Sequence, residues 1–167
     1  MLSKGLQEAM NKHLNKELYS AYTYLAMGAY FEDANFPGFA AWMKEQASEE
    51  YVHAMKFWEH IYDTGGSVTL LAIDAPRTEY TSPLDAFQQA LASEKEVTTA
   101  IHDLYGHAVE EKDYPSQVFL QWFITEQVEE EKMATQIVEQ LRMAGDSPAT
   151  LLLIDREMGS RGGAPAA

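Results

Sequence analysis

The spacing of Glu50 and His53 can place two metal-binding side chains on one face of a helix. The two residues are three positions apart, so on an α-helix they project from adjacent turns. Apolar residues recur around them every three or four positions, a pattern that predicts a buried face: Met43, Ala47, Ala54, Phe57 and Ile61. Burying a charge is costly unless it is paired or bound to a metal. One Glu-x-x-His spacing is a weak signal, so its interpretation depends on the other helices.

Three further predicted helices repeat this anomaly of a carboxylate within an apolar stripe. Glu17, Glu94 and Glu130 each interrupt such a stripe, and Gln127 precedes Glu130 by three residues. The other stripe members are Met10, Leu14, Ala21, Tyr24 and Gly28; Phe87, Leu91, Ile101, Leu104 and Ala108; and Phe119, Phe123, Ala134, Ile137 and Leu141. Buried carboxylates in this number cannot all stay ionised without cations, and two divalent metals would neutralise them. Oxygen donors with one imidazole favour iron or manganese.

Helix start and stop signals predict an all-α chain. The predicted helices cover residues 4–33, 36–63, 82–113, 115–143 and 147–158, and Asn35 is the expected cap of the second. Residues 64–82 show no helical period, and fully extended they reach about 63 Å, more than the roughly 42 Å of the preceding helix. This connection can therefore run the length of a bundle. We predict one domain over 1–158, a four-helix bundle with one long crossover loop and a short fifth C-terminal helix, followed by a flexible tail over 159–167.

Composition narrows the classes of function. A net charge of −14 argues against a nucleic-acid partner and favours cations. The absence of cysteine rules out disulfides and thiolate metal sites, and the hydrophobic share of 46% excludes a disordered chain. The first residues lack the apolar core of a secretion signal, and the longest aliphatic runs, such as 151–154, are too short to span a membrane. We therefore expect a cytoplasmic protein with no membrane partner.

Several longer motifs resemble those of prokaryotic non-haem ferritins. They are Glu17-Leu18-Tyr19-Ser20, Glu49-Glu50-Tyr51-Val52-His53, Asp113-Tyr114-Pro115, Phe119-Leu120-Gln121-Trp122-Phe123, Glu126-Gln127, Glu129-Glu130-Glu131-Lys132 and Ile154-Asp155-Arg156-Glu157-Met158. Glutamates and Glu-x-x-His ligands on four helices are the established pattern of ferritin-like di-iron bundles. The resemblance implies oxidation of Fe(II) by O2 or H2O2 at a di-iron ferroxidase centre. It also implies storage of the ferric mineral in a hollow homo-oligomeric cage of 24 subunits.

Carried over position by position, the resemblance implies two iron sites. The first consists of Glu17, Glu50 and His53. The second consists of Glu94 and Glu130, with Glu50 as a bridge to the first. All of these ligands belong to one chain, and each lies well inside its predicted helix.

The resemblance also assigns roles to neighbouring side chains. Gln127 is expected beside the irons as a hydrogen-bond donor, and Tyr24 as a hydrogen-bonding group that can donate an electron. The alternative for Tyr24 is a core aromatic residue with a satisfied hydroxyl. We interpret Trp122 as a packing residue. We interpret His13 and His60 as interface or surface residues rather than ligands.

An excess of acid on the fourth helix suggests a third iron site. Glu126 and Glu129 are three apart, Glu130 is four from Glu126, and Glu49 can meet them from the second helix. Some prokaryotic ferritins bind a third iron with acids at these positions, which supports the interpretation. The alternative is a solvated acidic face that attracts cations loosely. Glu131 is expected to face solvent or a neighbouring subunit.

Departures from related families narrow the prediction. Bacterioferritins carry a second Glu-x-x-His on helix four and a haem-binding methionine after the bridging glutamate, whereas this chain has Gln127-x-x-Glu130 and Tyr51. We therefore expect no haem.

Residues 151–154 are expected to be exposed unless the fifth helix packs against copies of itself. Two alternatives remain: a di-iron oxidase or peroxidase that stores no iron, and a structural cage subunit without catalysis.

Overall fold

Five α-helices make up most of the computed structural model, which describes residues 2–161. They are α1 (Lys4–Asp33), α2 (Pro37–Asp63), α3 (Pro83–Glu110), α4 (Tyr114–Ala144) and α5 (Pro148–Arg161). No strand occurs within residues 2–161, so the predicted all-α class is confirmed. Within the same range, no helix is long and apolar enough to cross a membrane.

Two helical hairpins form the bundle. Short links at 34–36 and 111–113 fold α1 against α2 and α3 against α4, and contacts between α1 and α3 join the two pairs. Residues 64–82 contain no helix and connect the hairpins, which confirms the predicted long crossover. The fifth helix packs against α2.

Side-chain caps define three of the helix starts. Ser3 Oγ accepts a hydrogen bond from the Leu6 amide at 3.1 Å, and Ser82 and Asp113 cap α3 and α4 in the same way. Asn35 does not cap α2, contrary to the prediction. It belongs to the turn that ends α1 and has a φ of 62°. Asparagine tolerates this left-handed conformation better than most residues do.

The uncapped start of α2 is completed by a residue from α5. Phe36 provides no side-chain hydrogen bond there, and the Phe39 amide instead donates to Asp155 Oδ1 at 2.8 Å. A buried carboxylate at a helix N-terminus satisfies an otherwise unpaired amide and lies favourably in the helix dipole. Gly38 permits this close contact, since a Cβ atom there would lie 1.7 Å from the Asp155 carbonyl oxygen.

The fifth helix is longer and more buried than predicted. It continues through Arg161, so residues 159–161 are helical rather than a flexible tail, while residues 162–167 lie outside the described part. Leu151 and Ile154 pack against apolar residues of their own chain, contrary to the expected exposure of all four residues of 151–154. Leu152 and Leu153 remain 44% and 58% exposed.

Two apolar clusters fill the bundle, and a polar layer separates them. Phe31, Phe39 and Phe87 belong to the cluster next to α5, and Phe57 and Ile101 belong to the opposite cluster. Between the clusters along each helix lie buried polar residues: Glu17 on α1, Glu50 and His53 on α2, Glu94 on α3, and Gln127 and Glu130 on α4. Each helix therefore contributes polar groups at the level where the apolar core is interrupted.

We predict that Asp155→Ala destabilises the start of α2 by about 1 to 2 kcal/mol, the usual cost of losing a helix cap. The Phe39 amide would lose its buried acceptor and exchange its hydrogen faster. Hydrogen exchange at Phe39, with the thermal unfolding midpoint, measures the effect. Asp146→Ala is the matched control, because Asp146 is exposed and lies two residues before the start of α5. Equal protection of Phe39 in both variants would contradict the capping role.

Candidate metal centre

Glu17, Glu50 and His53 converge in the polar layer. One ligand atom from each lies within 4.8 Å of the others, and within residues 2–161 no other group of three such side chains does so. The three residues are 1%, 2% and 5% exposed. His53 Nδ1 lies 3.6 Å from a Glu50 oxygen and 4.0 Å from a Glu17 oxygen. Two ligands bound to one ion at about 2.1 Å lie roughly 3 to 4 Å apart, so these separations suit a shared cation.

Two oxygens of this group have no protein partner. Glu17 Oε2 and Glu50 Oε2 are buried and accept no hydrogen bond. Leaving a buried acceptor unsatisfied is costly, and the cost is larger for a charged group. A cation between these oxygens would remove that cost, so the donor set fits a bound metal.

Glu94 lies in the same layer but has partners for both oxygens. Its Oε1 accepts a hydrogen bond from the Tyr24 hydroxyl at 2.5 Å, and its Oε2 accepts one from Gln127 Nε2 at 3.2 Å. Tyr24 and Gln127 are both buried, so these donors are held in place by the core. The two hydrogen bonds give the Glu94 carboxylate a fixed orientation.

Neither Glu94 nor Glu130 belongs to the three-residue group, whose ligand atoms all lie within 4.8 Å of one another. Glu130 is buried on α4, at 4% exposure. The structure therefore brings the residues of the expected first site together. It places the remaining residues of the expected second site in the same layer but farther apart.

Burial raises the pKa values of these carboxyl groups. It raises the pKa of Glu94 to about 7 and, with the nearby Glu94 and Glu50 charges, that of Glu130 to about 9. Burial also raises the pKa of Glu17. Without a cation, Glu130 holds a proton at neutral pH and Glu94 does so in part, and a bound metal would have to displace these protons.

Glu50 and His53 act on each other's pKa in opposite directions, because the carboxylate raises the pKa of the imidazole and the imidazole lowers the pKa of the carboxyl group. Burial raises the pKa of Glu50. Burial alone would lower the pKa of His53, but the Glu50 and Glu17 carboxylates outweigh it and raise the pKa of that imidazole. The neighbouring carboxylates therefore favour a positive charge on the His53 ring.

His13 is a functional candidate that lies in the core, so its predicted position at an interface or surface is wrong. It is 3% exposed, and its Nε2 lies 2.6 Å from Glu17 Oε1. Burial lowers the pKa of His13 to about 3, so the ring is neutral. The signal was present in the sequence, because His13 lies one turn before Glu17 and directly before Leu14 of the buried stripe.

The other aromatic and histidine residues near the centre have packing roles. His60, also expected at a surface or interface, is buried, contacts Ser116 Oγ at 3.1 Å and stacks on Phe119 with ring centroids 4.1 Å apart. Trp122 meets the His53 ring edge-on at 5.4 Å and is 41% exposed. The contact fixes one side of the His53 ring.

The acids of the expected third site do not converge. Glu49 is half-buried and accepts a hydrogen bond from Gln46 Nε2 at 2.9 Å. Burial raises the pKa of Glu49, and the charges of Glu45 and Glu126 raise it further. Glu126 is half-buried and Glu129 is exposed. These acids and Glu130 do not form a group within 4.8 Å.

Comparisons with known proteins agree with this architecture. The model of the ferritin-like domain family matches residues 7–144. A bacterial non-heme ferritin of Staphylococcus saprophyticus is 40% identical over 161 residues, covering 96% of both chains, and one of Staphylococcus aureus strain USA300 is 39% identical over 96% of this chain and 97% of its own.

Solved structures give the same result. An open pore ferritin from the hyperthermophilic archaeon Archaeoglobus fulgidus superposes with a TM-score of 0.94 at 43% identity, covering 95% of this chain and 98% of that chain. An engineered closed form of the Archaeoglobus fulgidus ferritin superposes with a TM-score of 0.94 at 44% identity, covering 95% and 97%. The family match and the identity over nearly the whole chain show that the chain belongs to the ferritin family.

Proposed function

We propose that this protein oxidises Fe(II) with O2 or H2O2 and stores the ferric product as a mineral in a cytoplasmic, hollow 24-subunit cage. The observation that carries the proposal is the buried group of Glu17, Glu50 and His53 with two unpartnered carboxylate oxygens. The relatives named bacterial non-heme ferritin support iron as the substrate.

Two Fe(II) ions per subunit would bind in the polar layer. Glu17, Glu50 and His53 would hold the first ion. Glu50 would bridge to the second, which Glu94 and Glu130 would complete after small side-chain movements. Transfer of one electron from each Fe(II) would reduce O2 to H2O2 with uptake of two protons from the solvent.

Tyr24 and Gln127 would control the second ion through Glu94. The Tyr24 hydroxyl and the Gln127 amide each donate to one Glu94 oxygen, so at least one of these hydrogen bonds must give way or be shared when Glu94 binds iron. Through this contact with Glu94, Tyr24 would be placed to act as the electron donor that the family resemblance implies.

Exposed apolar residues support the assembly part of the proposal. Leu152 and Leu153 on α5, with Leu70 and Leu71 on the crossover, are each at least 44% exposed. Symmetric contacts between copies would bury them. Native mass in solution distinguishes a cage from a smaller, non-storing di-iron oxidase. Oxygen consumption on adding Fe(II) distinguishes an active cage from a purely structural one.

We further propose a third, weaker iron site formed by Glu49, Glu126, Glu129 and Glu130. The Glu126 charge acts on Glu49 across the α2–α4 contact, and Glu49 acts on Glu130. A cation would draw these acids together from their present separation. An all-oxygen site would bind Fe(II) less tightly than the site that contains His53.

We predict that Glu50→Ala abolishes rapid Fe(II) oxidation, because both ions would lose a ligand, whereas Glu94→Ala mainly empties the second site. Stopped-flow oxidation and iron-soaked crystals measure this, with two irons about 3 to 4 Å apart expected in the parent. Glu59→Ala on the same helix is the control, since Glu59 is exposed. Full rapid oxidation by Glu50→Ala would contradict the assignment.

We predict that binding of Zn(II), a redox-inert ion, releases more protons at about pH 6 than at about pH 8, because Glu94 is protonated at the lower pH only, while Glu130 stays protonated at both. The same shifts make the metal-free fold less stable as pH rises from about 4.5 to about 9, since the unfolded chain loses these protons first. Proton release during a Zn(II) titration measures the predicted difference between the two pH values. Equal proton release at both pH values would contradict that difference.

We predict that Glu49→Ala/Glu126→Ala/Glu129→Ala keeps the fast oxidation phase but changes the ratio of Fe(II) oxidised to O2 consumed. The substitutions would remove the third site and leave the two-iron centre intact. Oxygen electrode measurements give the ratio. A matched control removes three other glutamates of the same helices: Glu59, Glu131 and Glu139. An unchanged ratio, with no third iron in soaked crystals, would reduce this patch to a charged surface.

A further inference from the structure

The contact between His13 and Glu17 gives the two Glu17 oxygens different surroundings. Oε1 lies 2.6 Å from His13 Nε2, while Oε2 has no hydrogen-bond partner and lies 4.0 Å from His53 Nδ1. The side chains of His13 and Glu17 are 2% and 1% exposed, so water does not compete for this contact. One oxygen is thus held from behind while the other faces the metal-binding group.

The chemistry of the contact fixes its direction. A carboxylate that binds a metal carries no proton, so the imidazole Nε2–H must donate and Glu17 Oε1 must accept. The nitrogen engaged in this bond has no free lone pair for a metal. His13 is also not a member of the group formed by Glu17, Glu50 and His53. A ligand role for His13 is therefore disfavoured at Nε2 by its bonding, and at either nitrogen by its place outside that group.

Packing holds the imidazole in this orientation. The His13 ring contacts Phe57 with centroids 4.7 Å apart and an angle of 43° between the planes. Phe57 is fully buried and belongs to the apolar cluster below the polar layer. The ring is therefore held by an aromatic contact on α2 and by a hydrogen bond on α1, and it cannot turn without losing one of them.

We propose that His13 is a positioning residue that orients Glu17 so that its free oxygen faces the first metal ion. The inference rests on the proposed function, because that proposal makes Glu17 a ligand. A glutamate side chain has several rotatable bonds, and ordering it costs conformational entropy when a metal binds. Partners behind a ligand that fix its orientation in advance typically raise metal affinity 10- to 100-fold.

The test compares His13→Leu with His13→Gln in the full chain, using Co(II) as the probe. Leucine fills the space but cannot donate, whereas glutamine keeps an N–H that can reach Glu17 across one helical turn. We expect His13→Leu to weaken the tightest Co(II) site about 10- to 100-fold. His13→Gln should restore most of that affinity and leave the visible Co(II) spectrum unchanged, because no ligand has been altered.

His60→Leu is the matched control, since it removes another buried imidazole outside the polar layer. It should lower the thermal unfolding midpoint without changing Co(II) affinity. If His13→Leu does not fold, His13→Asn replaces it, because the shorter amide does not span the turn to Glu17.

Two results would overturn the positioning role. One is a His13→Leu protein that binds Co(II) as the parent does. The other is a His13→Gln protein that loses as much affinity as His13→Leu or changes the Co(II) spectrum, which would indicate a ligand. A parent that binds Co(II) but does not oxidise Fe(II) would refute the proposed function, while the affinity comparison would still decide the role of His13.

Discussion

The structure depends on how the bundle tolerates a layer of buried charge at mid-length. Glu17, Glu50, Glu94 and Glu130 are each less than 5% exposed, and His53 lies among them. Removing so many carboxylates from water is unfavourable unless protons or cations neutralise them. The raised pKa values show the metal-free response, in which the layer retains protons. The same energetic cost that makes the layer unfavourable for folding makes it favourable for binding divalent ions.

The rest of the molecule supplies the stability that the layer lacks. Apolar clusters lie on both sides of it, and both contain several fully buried aromatic or aliphatic side chains. At one end, Asp155 connects α5 to the start of α2, so the helix that carries Glu50 and His53 is fixed far from the charged layer. Packing on both sides keeps the helices in register, and the register brings carboxylates from separate helices to one level.

Sequence periodicity predicted this level well, because a helix of fixed pitch converts residue spacing directly into a shared face. It did not predict contacts that depend on distant segments or on side-chain conformation. Asp155 meets Phe39 across 116 residues, and no local pattern marks that pairing. His13 and His60, predicted at an interface or a surface, are both buried, because each packs against an aromatic ring of a neighbouring helix. The acids expected at a third site share a region but do not converge, since their side chains are not drawn together by spacing alone.

Glu17 and Glu50 are better prepared than Glu94 to bind a cation. Glu17 and Glu50 each present an unpartnered buried oxygen, and the other Glu17 oxygen is already held by His13. Glu94, in contrast, has a donor on each oxygen, so a metal that binds there shares or displaces the hydrogen bond from Tyr24 or Gln127. Losing a buried hydrogen bond costs free energy, and the unpartnered oxygens of Glu17 and Glu50 have no such bond to lose. The geometry therefore makes Glu17, Glu50 and His53 the part of the layer best prepared for a cation, whereas Glu94 is already engaged by two donors.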